Sequence, residues 1–283
     1  MKNDNDTVTL AEGLAFPEAP RWHDGALWFS DFYTHAVHRL VVDGTLTTVA
    51  EVPGQPSGLG WLPDGRLLVV SMLDRRVLRL EAGRLVTHAA LDTLVASPCN
   101  DMVVDAEGRA YVGNFGFDMF NRETPRPTGL VLVTPDGDAR VVADDLLFPN
   151  GCVITPDGGT LIVAETFGKR LTAFDIAPDG TLSRRRVWAD LGDASPDGIC
   201  LDDAGAVWLA SPPTSEFLRV HEGGHVSERI AVAGQAIACA LGGNERRTLF
   251  MVTGKVSKAP RALAERNGRI LARQVAVGGA GLP

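Results

Sequence analysis

Four oxygen-bearing residues stand out because they occupy one recurring position of the chain. Asn100, Asn150 and Asp197 each lie eight residues before a turn glycine (Gly108, Gly158, Gly205), as Ser57 does before Gly65. Glu18 is the equivalent before Gly25, in a copy one residue shorter at its turn. A weaker sixth copy offers Gln235 or Ala236 at this place. Brought together, Glu18, Asn100, Asn150 and Asp197 supply two carboxylates and two carboxamides, with no thiol or imidazole. That donor set suits a hard divalent cation, Ca²⁺ first, with Mg²⁺, Mn²⁺ or Zn²⁺ also able to use it. Two carboxylates balance a 2+ charge, and without a cation they would repel. The competing reading is local: Pro149-Asn-Gly151 and Pro196-Asp-Gly198 are good turn sequences by themselves.

Only a repeated fold can make such distant residues converge. The copies read Arg21–Ser30, Gly60–Ser71, Val103–Gly113, Val153–Ala164, Cys200–Ser211 and, less clearly, Cys239–Val252. Each is a few apolar residues, an Asp/Gly-type turn and a β-rich run. The glycines Gly25, Gly65, Gly108, Gly158 and Gly205 are spaced by 40, 43, 50 and 47 residues, a mean of 45. Six units at the ~40–50 residues of a propeller blade account for about 270 residues, nearly the whole chain. Further short β-rich segments follow each hairpin, for example Val37–Val42 with Thr45–Ala50, and Gly129–Thr134 with Ala139–Ala143. The one short helical candidate is Pro260–Arg266. These features predict an all-β protein, a six-bladed β-propeller with four-stranded blades, in a single domain spanning residues 1–283. The first strand of each blade lines the axis, so the residues eight before the turns form a ring at one mouth of the channel.

Composition narrows the partners. The formal net charge is −8 and no Lys/Arg cluster stands out, which argues against nucleic acid and acidic membrane surfaces. No apolar run approaches bilayer length, and Met1–Thr9 is polar, so a cytoplasmic protein is expected. Cys99, Cys152, Cys200 and Cys239 lack C-x-x-C spacing and read as reduced, buried thiols. The six His residues fall at no ring position, and no Gly-x-Ser-x-Gly elbow supports a serine hydrolase. Nothing in the sequence specifies an oligomeric state.

The chain resembles the SMP-30/gluconolactonase/LRE-like propeller hydrolases. The resemblance rests on Glu12-Gly-Leu-Ala-Phe-Pro-Glu-Ala-Pro-Arg-Trp22, Asn100-Asp101, Phe148-Pro-Asn-Gly151 and Ser195-Pro-Asp-Gly198, in that order. It implies one divalent metal with Glu18, Asn150 and Asp197 as direct ligands, and Asn100 as a further ligand or a contact to substrate and water. It also implies lactone hydrolysis. Pro98 departs from the sugar-lactonase members, which carry Arg two residues before the Asn that matches Asn100. The substrate is therefore expected to be a partly apolar lactone rather than a plain sugar lactone.

The expected chemistry is metal-assisted ester hydrolysis, with the carbonyl polarised and the oxyanion stabilised by the ion. Asp197 is the candidate catalytic residue, to orient or deprotonate water; direct nucleophilic attack is its rival role. Asn100, Asp101, Asn114, Phe115, Phe117, Phe120 and Glu165 are the candidate substrate contacts. The long loop Asn114–Pro127 would place Phe115, Phe117, Met119 and Phe120 as an apolar lid, unless it packs on its own blade. Glu165 could instead pair with Arg170. Two other functions fit such a fold: a binding propeller whose ion is structural, and a condensation enzyme like the strictosidine-synthase propellers.

Overall fold

The computed structural model describes residues 7–41 and 43–280. Most of the polar Met1–Thr9 segment and Val42, at the end of an expected strand, lie outside the described residues. Six four-stranded antiparallel sheets form the six blades of a propeller. Five are built from consecutive strands. The sixth is not: its inner three strands, Gln235–Gly242, Thr248–Gly254 and Gly268–Gln274, are completed by the N-terminal strand Val8–Leu14. The ring is thus closed by hydrogen bonds between the two ends of the chain, from Val8↔Ala272 to Leu14↔Gly268. The expected helix is present as Ala259–Glu265. No helix among the described residues is long and apolar enough to cross a membrane.

The strands follow from burial. Inner strands such as Cys99–Val104 and Pro149–Ile154, and second strands such as Leu67–Ser71 and Val207–Ser211, are buried along their whole length. They lie between two neighbouring blades, so both faces are covered, and the second strands read as apolar runs such as Leu67-Leu-Val-Val70 rather than alternation, while the inner strands add polar residues at their starts. Outer strands such as Leu182–Asp190 reach solvent and carry Ser-Arg-Arg-Arg. Each inner hairpin turns at a glycine with φ between 70° and 85° at Gly25, Gly65, Gly108, Gly158 and Gly205, the left-handed region that glycine enters without strain. Gly243, at φ 83°, plays this part in the sixth blade.

One irregularity recurs where the inner strands begin. The ladder to the second strand slips between Glu18 and Arg21, Pro56 and Leu59, Cys99 and Met102, Pro149 and Cys152, and Ala236 and Ala238. Ser57, Asn100 and Asn150 sit inside this bulge and Glu18 at its edge, where the irregularity re-aims the side chain out of the pleat. The glycines that follow the ring residues serve close packing rather than a turn. A Cβ at Gly151 would lie 2.7 Å from Asp197 O and Ile199 N, and one at Gly198 would lie 2.7 Å from Ala238 Cα. At these points adjacent blades are joined by Gly151 N donating to Asp197 O (3.3 Å) and Gly198 N donating to Ile237 O (3.0 Å). Pro149-Asn-Gly151 and Pro196-Asp-Gly198 are therefore strand entries, not the free-standing turns their composition also allows.

This packing makes Gly151 intolerant of a side chain. Gly151→Ala should lower stability by roughly 1–3 kcal/mol, the usual cost of overpacking. Gly254→Ala, whose Cβ would meet its nearest neighbour at an ordinary 3.7 Å, should change stability by less than ~1 kcal/mol. Urea unfolding of the two variants beside the parent protein checks both.

Candidate functional site

The four ring residues named from the sequence line one cavity of about 260 Å³ at a single mouth of the channel. Glu18, Asn100 and Asn150 are each 3% exposed, whereas Asp197 is only partly buried. Asn150 Nδ2 donates to Asp197 Oδ1 (2.6 Å) and to Thr166 Oγ1 (3.1 Å), and the Thr166 hydroxyl in turn donates to Pro196 O (2.8 Å). This fixes the amide so that Asn150 Oδ1 faces away from Thr166, buried and without a hydrogen-bond partner. A Glu18 carboxylate oxygen accepts from the Ala19 N–H. Ser57, the ring residue of the second blade, donates to Asn100 Oδ1 (3.3 Å).

Charge on this floor is not balanced by the protein. Burial, then the charges of Asp197 and Asp101, push Glu18 well above the ordinary carboxylate range. Burial, then Asp101, push Asp197 up to about 8, against the hydrogen bond from Asn150. The nearby guanidinium, Arg21, is committed elsewhere: it donates to Asp101 Oδ1 (2.6 Å), Met102 O (2.7 Å), Pro20 O (2.9 Å) and Leu59 O (3.2 Å). A buried amide oxygen lacking a donor, beside two crowded carboxylates, is the environment that a hard cation satisfies. The residues present therefore fit a divalent ion held by oxygen. Among the described residues no cluster of three or more His, Cys, Asp and Glu side chains exists that could hold a metal. The carboxamides are thus integral to any such site.

Above the floor the walls are aromatic. Phe16, Phe32, Tyr33, Phe115, Phe148 and Phe167 line the cavity. Phe148 stacks on Phe167 (5.8 Å between centroids, 20°) and packs against Phe115 (4.6 Å). These rings come from just before the inner strands or from loops between second and third strands. Phe148 holds φ 60°, uncommon outside glycine, and thereby turns the chain into Pro149 and Asn150.

Several expected substrate contacts lie elsewhere. Asp101 does not line the cavity; it is 2% exposed and bound by Arg21 and the Met102 N–H (2.8 Å). Asn114 is fully buried with its amide satisfied. Its Oδ1 accepts from Thr128 Oγ1 (2.7 Å), Ser97 Oγ (2.9 Å) and Gly116 N (3.1 Å), and its Nδ2 donates to Gly129 O (2.7 Å). It anchors the base of the long loop. Glu165 is also fully buried and takes the Arg170 pairing, at 2.8 Å, together with Arg185 at 3.3 Å. It accepts the Leu147 N–H at 2.9 Å, which secures the segment entering Phe148. Burial raises the Glu165 carboxyl, but Arg170, the Leu147 N–H and Thr172 overcome it and leave it below its ordinary range. Of the expected lid, Phe115 and Met119 line the cavity, Phe117 packs edge-on against Phe167 (5.1 Å), and the Phe120 side chain lies outside the described residues.

The sequence reading missed Arg21, Thr166 and most of the aromatic wall. Arg21 carries a usable signal, an arginine at a buried position of an inner strand three residues after Glu18. The wall residues carry only their loop positions, which become meaningful once the mouth is known. Cys99, Cys152, Cys200 and Cys239 are buried and free of disulfides, as expected, and Cys152 donates to Asn150 O (3.3 Å) behind the site.

Known proteins resemble the chain along nearly its whole length. A 6-deoxy-6-sulfogluconolactonase of Pseudomonas putida is 26% identical over 94% of this chain and 93% of its own. An L-arabinolactonase of Azospirillum brasilense is 25% identical over 91% and 85%. The crystal structure of regucalcin from Agrobacterium tumefaciens str. C58, a calcium-binding protein, superposes with a TM-score of 0.83 at 21% identity, covering 99% of this chain and 97% of that one. The SMP-30/Gluconolactonase/LRE-like region matches residues 16–255, which include Glu18, Asn100, Asn150, Asp197 and the aromatic wall. The chain belongs to the SMP-30/gluconolactonase/LRE-like family.

Proposed function

We propose that this protein is a metal-dependent lactonase, opening a cyclic carboxylic ester whose substituents are at least partly apolar. One observation carries the reading: the oxygen floor of Glu18, Asn100, Asn150 and Asp197, with its unpartnered Asn150 Oδ1, lies directly beneath a wall of aromatic rings. The lactonase names of the similar proteins from P. putida and A. brasilense support it.

Glu18, Asn150 and Asp197 would hold the cation, Ca²⁺ first, with Asn100 beside them as a further ligand or a contact to substrate and water. Bound there, it supplies Lewis acidity toward the ester carbonyl and charge balance for the tetrahedral oxyanion. The protein's own groups do the rest. Asn150, braced on Thr166, orients the Asp197 carboxylate. Asp197 is the ring carboxylate with the greater exposure, placed to orient the attacking water and receive its proton. The aromatic wall excludes bulk water and strengthens each polar interaction at the floor.

The same wall sets the substrate class. Above the floor the polar groups lining the cavity are few, and Tyr33 spends its hydroxyl on Ser257 O (2.7 Å). A polyhydroxylated sugar would leave its hydroxyls unpaired there, at a cost of ~1–3 kcal/mol each when buried. Pro98 offers no side-chain donor in compensation.

Stripping the protein with a chelator should abolish hydrolysis of an alkyl or aromatic γ-lactone, and Ca²⁺ should restore it, with Mn²⁺ and Zn²⁺ tested alongside. At a hundredfold excess over Kd the restoring ion should also stabilise the fold by about 2.7 kcal/mol, read as a rise in Tm. Metal binding with no hydrolysis of any lactone would overturn the enzyme reading in favour of a binding propeller. Faster turnover of gluconolactone than of the alkyl lactone would overturn the substrate class. Asp197→Asn should reduce kcat by ~10²–10⁴-fold. A variant that still binds the ion, by calorimetry, and keeps kcat within tenfold would remove Asp197 from both the base and nucleophile roles.

A further inference from the structure

A second cavity of about 480 Å³ adjoins the first, and Tyr33 and Phe115 line both. The segment after the second strand of the sixth blade borders the two in turn, Val256 and Ser257 on the first, Lys258 and Ala259 on the second. The first cavity alone, at about 260 Å³, falls short of the ~300–1,000 Å³ usual for ligand pockets, and the pair falls well within that range. We infer that the second cavity is a subsite for an unbranched alkyl or aryl-alkyl chain carried by the lactone ring, the ring itself resting over Glu18, Asn150 and Asp197. This rests on the lactonase reading above.

The lining chemistry favours a neutral, apolar chain. Met72, Leu73, Pro98, Phe115 and Phe117 form its apolar wall. Leu73, in the turn after the second strand of the second blade, lines this cavity and is 54% exposed. The charged groups here are largely engaged with each other. Arg126 holds Glu123 (3.1 Å) and Gly116 O (2.8 Å), and the Asp118 carboxylate accepts from Asn121 N (3.0 Å) and Nδ2 (2.7 Å). Lys258 is exposed, where the end of a long chain would meet water. Without a buried, unpaired charge, specificity here comes from apolar area, and each methylene that enters is worth roughly a threefold gain in affinity or kcat/KM.

The test is a series of γ-lactones from γ-valerolactone to γ-dodecalactone, hydrolysed by the metal-loaded protein and by its Leu73→Glu variant. The parent should gain on the order of 10–100-fold in kcat/KM along the series, the effect of about two to four methylenes entering the cavity before the chain end meets water. Leu73→Glu, at an exposed turn outside the ring, should lose about tenfold on the long lactones and less than twofold on γ-valerolactone. The matching γ-lactams, which resist hydrolysis, give a second measurement: by calorimetry the hexyl-substituted lactam should bind the parent at least tenfold more tightly than the unsubstituted one, and Leu73→Glu should erase that difference. A flat series in the parent, or an equal slope in both proteins, would overturn the inference while leaving the lactonase reading intact. No turnover of any lactone would overturn the lactonase reading, and the lactam comparison then decides the subsite by itself.

Discussion

Two carboxylates share the mouth of this channel, and the guanidinium nearest to them belongs to another carboxylate. That electrostatic imbalance organises the site. Glu18 and Asp197 are held together by backbone, not by attraction, because each inner strand must start near the axis. Arg21 relieves Glu18 only in part, since four hydrogen bonds bind it to Asp101 and to carbonyls of three residues, and burial with the charges of Asp197 and Asp101 outweighs it. The buried Arg21–Asp101 pair keeps the channel interior polar but neutral, and leaves the excess negative charge at the floor of the cavity. Asn150 expresses the same imbalance in neutral form, with its donor on Asp197 and its acceptor unpaired.

The ring is held at this density by contacts between blades. Bulges at the strand entries aim the side chains inward, and the glycines behind them let the next blade's backbone approach within contact distance. At Asn150-Gly151 and Asp197-Gly198 function and fold thus occupy consecutive residues: the polar side chain belongs to the site, and the hydrogen that follows belongs to the packing. The aromatic wall is built on loops instead, so the floor and the walls are carried by different parts of each blade.

Much of this was legible in the sequence, and the reasons are specific. The turn glycines need a left-handed conformation, so they mark each inner hairpin, and counting back from them located Glu18, Asn100, Asn150 and Asp197 in one cavity. Counting did not reveal which side chains point away. Asn114 and Glu165 end second strands at the same mouth, but both are turned into the loop bases by satisfied hydrogen bonds, and no residue type announces that. Asp101 neighbours Asn100, yet strand alternation and Arg21 send it toward the channel interior. The crossing of the N-terminal strand into the sixth blade was likewise hidden, because Val8–Leu14 carries the pattern of an ordinary half-buried strand. The functional assignments of the ring residues remain a proposal that the geometry and the relatives support.

The seam formed by Val8–Leu14 has a mechanical consequence. Glu18 follows this strand after a short connection through Ala15, Phe16 and Pro17, and the N–H groups of Ala15 and Phe16 are clamped by Asp31 at 2.8 and 2.9 Å. The fastener of the ring and the first residue of the site are therefore one continuous stretch of chain. Opening of the Val8–Leu14 strand would have to break the Asp31 clamp before it displaced Glu18, so the fastening of the ring and the placement of its first carboxylate are separated by two hydrogen bonds.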